Sequence, residues 1–124
     1  MLAAGLLVVA CGAQPPAGEP ASGVTGRVLL GPQCPVERSS GRCADRPAAG
    51  VSVIVSDHVP GDAQVAGTEV ARTSTAADGS FTVALAPGRY VVTAEAGMSC
   101  ELMDARVDRG RFVDVDVPCD TGIR

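Results

Sequence analysis

Residues 73–94, TSTAADGSFTVALAPGRYVVTA, leave this chain the least freedom. Apolar side chains alternate at Phe81, Val83 and Leu85 and again at Tyr90, Val92 and Ala94, the period of two that a strand with one buried face requires. Asp78-Gly79 opens the first run with a pair whose Gly accepts positive φ, and Pro87-Gly88 separates the runs by a link short enough to predict a β-hairpin. Phe81, Val83, Leu85, Tyr90 and Val92 are the expected core. A hairpin cannot bury such a face alone in water, so further strands have to come from elsewhere in the chain.

Those strands are built almost without rings. Phe81, Tyr90 and Phe112 are the only aromatic residues among 124, which leaves Val, Leu, Ile and Ala for the interior, and β-branched residues at alternating positions favour strands. The 15 Gly and 9 Pro break up every apolar run of helical period beyond the N-terminus. Val24, Val28 and Leu30 share one parity in a first strand over 24–30. Val51, Val53 and Val55 do so in a second, ended by the turn-rich residues 57–61. Residues 66–75, AGTEVARTST, read as a polar edge strand with Val70 its best apolar member. A weaker strand follows over 102–107. In 111–117, RFVDVDV, Val113, Val115 and Val117 face one way and Phe112, Asp114 and Asp116 the other. Short strands at this spacing, with turn signals between, predict an all-β fold: a seven-stranded antiparallel β-sandwich over residues 23–124.

Five cysteines in so short a chain imply an oxidising compartment, and an odd count needs a separate use for one of them. Residues 1–10 contain an apolar run, LAAGLLVVA, too short to span a bilayer and shaped like the hydrophobic region of a signal peptide. It runs into Val8-Val9-Ala10-Cys11, which resembles a bacterial lipobox. That resemblance implies cleavage before Cys11 and lipid, palmitate included, on the new N-terminus. The positively charged residues that usually precede such a run are missing from it, and a secretory signal peptide with a free Cys11 is the competing reading. Residues 11–22, rich in Pro, Gly and Ala, read as a flexible tether. Four cysteines remain, and three pairings are open to them. Joining Cys34 to Cys43 and Cys100 to Cys119 asks the least of the topology.

The motifs Gly26-x-Val28, Arg46-Pro47-Ala48-Ala49-Gly50-Val51-x-Val53 and Thr73-x-Thr75-x-x-Asp78-Gly79-x-Phe81-x-Val83-x-Leu85-x-Pro87-Gly88-x-Tyr90-x-Val92 resemble the carboxypeptidase regulatory-like domain. The resemblance covers residues 23–97 and implies a transthyretin-like (prealbumin-like) β-sandwich. The tail, 111–124, is also similar to secreted and lipid-anchored bacterial members. The family implies an accessory domain found beside peptidases or alone on cell surfaces, without a catalytic centre of its own.

Side-chain chemistry points the same way. A formal charge of −4, with ten cationic residues that are all Arg, offers no basic stripe for nucleic acid. His58, the single histidine, lies in DHVPGD; with Asp57 and Asp62 it could form a small metal or proton site, but a solvated loop histidine is the simpler reading. The cysteine spacings do not match zinc pairs, so neither metal nor cofactor is expected. No nucleophile motif such as G-x-S-x-G accompanies Ser80 or Ser99. Asp114 and Asp116 could hold calcium with Asp104 or Asp108 if those strands are adjacent; a wet edge-strand face is the alternative. Phe112 and Arg111 mark a small contact patch there. The expectation is a non-enzymatic lipoprotein domain held on the extracytoplasmic face of the cell membrane through its lipid, with an extracellular protein or glycan as partner. A carbohydrate-binding module is the alternative function, disfavoured by the shortage of rings.

Overall fold

The computed structural model describes residues 21–33, 44–61 and 65–123. Among them lie ten strand segments and no helix: β1 (Gly23–Gly31), β2 (Arg46–Pro47), β3 (Ser52–His58), β4 (Ala66–Ser74), β5 (Ser80–Ala84), β6 (Gly88–Glu95), β7 (Ser99–Cys100), β8 (Met103–Val107), β9 (Phe112–Asp114) and β10 (Val117–Asp120). They form two sheets, one of six strands and one of four.

β1 is the spine of the larger sheet. Along one edge it pairs antiparallel with β5, from Gly23 opposite Ala84 to Arg27 opposite Ser80, and then with β2 at Leu29 and Leu30. Along the other it pairs with β9 and then β10, and β7 adds to β10. The β1–β9 and β1–β10 ladders are parallel, so the expectation of a wholly antiparallel sandwich is corrected. The chain enters β9 from the other sheet, and such a crossover is what allows parallel entry. The smaller sheet, in the order β4-β3-β6-β8, is antiparallel throughout.

The expected hairpin is also corrected: β5 belongs to the larger sheet and β6 to the smaller, and residues 85–87 carry the chain across. Leu85 stays with the first sheet because its N–H donates to the Ser22 carbonyl at 2.9 Å while its own carbonyl accepts from Ser22 Oγ at 2.6 Å. Tyr90, just inside β6, reaches back and donates its hydroxyl to the Ala86 carbonyl at 2.6 Å. Leu-x-Pro-Gly-x-Tyr is here a corner between sheets, a tyrosine corner, and not a two-strand turn. Phe81 and Leu85 therefore belong to one layer of the core, and Tyr90 and Val92 to the other.

The core is one cluster fed by both sheets: Val24, Val28 and Val117 from the larger, Val53, Val55, Val92 and Val107 from the smaller, and Phe81, Leu85 and Tyr90 around the corner. Val83 is half-buried against it. In β4 the buried residue is Ala71, with Val70 only partly covered. The register against β3 shifts between Val55 and Ser56, so Val70 is an extra residue that turns Ala71 inward. β3 extends through Asp57 and His58, past its expected end.

The final strand is interrupted where one run was expected over 111–117. β9 and β10 keep the same offset against β1, but between them the Arg27 N–H is taken by the Asp116 carboxylate at 3.0 Å in place of a backbone carbonyl. Gly26 makes this approach possible, because a Cβ there would stand 1.8 Å from the Val115 carbonyl oxygen. Gly79, with φ near 80°, turns the chain into β5 and accepts the Val28 N–H at 2.9 Å.

Candidate binding surface

Cys100 and Cys119 stand opposite each other on β7 and β10 and are joined by a disulfide. The bond ties the two-residue β7 to the larger sheet. Cys11, the expected lipid site, and Cys34 and Cys43, the other expected bridge, lie outside the described residues, as does Asp62. His58 ends β3 half-buried, and Asp57 beside it is exposed. Among the described residues no group of three or more His, Cys, Asp or Glu is disposed to hold a metal.

The acidic residues near the C-terminus are not gathered as the calcium reading required. β8 pairs with β6 in the smaller sheet and β9 with β1 in the larger, so Asp104 and Asp108 share no ladder with Asp114 and Asp116. The structure brings Asp78 to that place instead. Thr82, Thr25 and Asp114 are neighbours across β5, β1 and β9, and Ser80 and Arg27 follow them along the same outward face. Thr25, Arg27, Ser80 and Asp114, together with Asp78 and Asp116, line an open recess of about 410 Å³. No local pattern marks Asp78, in the turn before β5, as part of this group; its membership depends on β5 pairing with β1.

This recess is a polar strip with fixed acceptors. Asp78 accepts from Ser80 Oγ at 2.5 Å and from Ser80 N–H at 3.0 Å, and these bonds, helped by the nearby positive charge of Arg27, hold its carboxyl below the usual carboxylate range. Thr25 Oγ1 bonds the Phe81 carbonyl and shares a hydrogen with Thr82 Oγ1, both at 3.1 Å. Asp116 is engaged by the Arg27 N–H. What the strip offers a ligand is carboxylate and hydroxyl oxygens beside one guanidinium. Phe112 heads the same row with 40% of its surface exposed, its ring lying over Gly23.

The outward face of the smaller sheet is charged at one end. Arg72 on β4 binds Glu69 through two bonds of 2.9 and 3.0 Å and reaches across β3 to Glu95 on β6 at 3.0 Å. Its guanidinium holds the Glu69 carboxyl low, and the two carboxylates raise the pKa of Arg72 in turn. All three side chains are open to water, so the network orders the surface more than it stabilises the fold. At the centre of this face Val91, opposite Ser56 and Asp104, is 1% exposed, a burial that the alternation in β6 does not foretell. Compared with known proteins, the chain matches no family model, no curated protein and no solved structure.

Proposed function

We propose that this is a non-catalytic domain of the cell envelope, anchored through lipid on Cys11 to the extracytoplasmic face of the membrane, where it binds or scaffolds protein. The observation that carries the reading is the oxidised Cys100–Cys119 pair in a small two-sheet fold with an aliphatic core. Such a bond persists outside the cytoplasm and offsets the limits of a core almost without rings. The polar interior supports the non-catalytic part: among the described residues no buried side-chain nitrogen or oxygen lacks a partner, and Ser22 and Thr75 spend their hydroxyls on joining the segments that flank the strands.

We also infer a transthyretin-like arrangement of the carboxypeptidase regulatory-like type. Its support is the tyrosine corner at the Leu-x-Pro-Gly-x-Tyr motif and the strand count: with β9 and β10 taken as one interrupted line, and the two-residue β2 and β7 set aside, seven strands remain.

The test is intact-mass analysis of the membrane fraction. The expected mass is that of a chain beginning at an acylated Cys11 with its remaining cysteines oxidised; an unprocessed chain with five free thiols in the soluble fraction overturns the reading. One observation favours glycan as the partner in place of protein. Phe112 is an exposed ring in the same row as the polar strip, the pairing of stacking face and hydrogen-bonding groups that sugars use. Retention on a polysaccharide array that is lost in Phe112→Ala establishes that alternative; no retention by the unaltered chain removes it.

A further inference from the structure

We propose that β8 is an edge through which two copies of this chain join, strand to strand and antiparallel, about a two-fold axis at Ala105. Such pairing needs neither the lipid nor a foreign partner, and so goes beyond the function proposed above.

Unpaired sheet edges are the places where a second strand can add. Among the described residues β2 and β7 are two residues long and β9 is three. β4 is long, but its register shifts twice, between Val55 and Ser56 and between Ser56 and His58 of β3, and such bulges bend an edge away from a partner. Two edges of five residues remain with unbroken ladders behind them, β5 and β8. β5, Ser-Phe-Thr-Val-Ala, has no charge with which to select a partner or a register.

β8 has both. Met103-Asp104-Ala105-Arg106-Val107 is self-complementary in charge when one copy runs against another. An axis at Ala105 sets Asp104 of each copy opposite Arg106 of the other, twice, and Met103 opposite Val107. Neighbouring registers that keep each side chain on its own face are rejected by charge: an axis at Asp104 opposes the two aspartates, and one at Arg106 opposes the two arginines and sets Asp104 against Asp108. The faces also match. Asp104 and Arg106 point to water while Ala105 and Val107 are buried, so the joined sheets continue one apolar layer and one wet layer. Arg106 is free to turn toward the second copy. Its contact with Asp108 within the chain is a loose one, 3.5 Å with 79% of the Arg106 side chain exposed.

Sedimentation equilibrium of the full chain tests this directly, and a concentration-dependent dimer is expected. Asp104→Arg and Arg106→Asp each turn two attractive pairs into two repulsive ones and weaken association on the order of tenfold or more. An equimolar mixture of the two variants, and the double variant D104R/R106D, restore it. Thr82→Arg on β5 leaves it unchanged. Because both altered β8 side chains are in water, circular dichroism matching the unaltered chain is expected for each variant. Raising salt toward ~1 M weakens the unaltered dimer without any substitution. A chain monomeric at every concentration, a dimer indifferent to salt and to both single variants, or a dimer abolished by Thr82→Arg overturns the proposal.

Discussion

Tyr90 shows how much one side chain decides in a fold with few rings. Its ring fills the core at the corner, and its hydroxyl satisfies the Ala86 carbonyl at the point where the chain changes sheets. Tyr90→Phe keeps the ring and strips the carbonyl of its donor, so a loss of about 1–2 kcal/mol is expected in denaturant unfolding. The same residue sets a pH dependence. Burial, and then the negative charge of Asp57, push the phenol pKa above its ordinary value. The folded state therefore keeps a proton that the unfolded chain releases first: this contribution is whole below the ordinary phenol pKa and is lost as pH rises through the raised one. Unfolding midpoints measured toward alkaline pH are expected to fall more steeply in the unaltered chain than in Tyr90→Phe. Equal slopes would mean that Tyr90 does not carry the effect.

Alternation in β1, β3, β5 and β6 told correctly which side chains face inward, because the two-residue period of a strand is a property of the strand alone. Pairing is different in kind. Pro87-Gly88 read as a hairpin because a short link between two strands satisfies hairpin geometry, and nothing local distinguishes that from a corner; the distinction lies in Ser22, more than sixty residues away, which holds Leu85 in the first sheet. Parallel entry of β9 and β10 beside β1 was illegible for the same reason, and so was the meeting of Asp78 with Asp114 and Asp116. The edge position of β4 was legible, but the turn of Ala71 inward beside Val70 was not, because a bulge inserts one residue and reverses which neighbour faces the core. The Cys100–Cys119 bridge was within reach of spacing, since the two residues end up opposite on neighbouring strands. β7 has two residues and hangs on β10 through that bond and its neighbouring ladder. With the two cysteines separated by 19 positions in sequence, reduction, or Cys100→Ser with Cys119→Ser, is expected to cost about 3 kcal/mol in unfolding free energy. An unchanged unfolding curve after complete reduction would show that the ladder alone suffices.

Across the whole molecule the two sheets share a single apolar cluster, and this governs how the chain comes apart. β1, β5 and β10 on one side and β3, β6 and β8 on the other contribute to the same buried set, and among the described residues neither sheet has a second core to fall back on. Either sheet alone would expose a face of Val and Leu, so neither persists without the other, and unfolding is expected as one transition. Leu85 is the sharpest place to test it, being wholly buried at the crossing between the sheets. Leu85→Ala removes three carbons' worth of contacts at a site where corner and sheet constrain collapse, and a loss of about 2–5 kcal/mol is expected against a total of ~5–15 kcal/mol for a domain of this class. Val83→Ala, half-buried on β5 just before the crossing, should cost distinctly less. The decisive measurement is amide exchange in Leu85→Ala: protection in β3 and β6 of the smaller sheet should fall together with that in β1 of the larger, by the same factor. Loss confined to the larger sheet would mean that the smaller one stands on its own, and the shared cluster would then be a contact between two stable layers, not the condition for both.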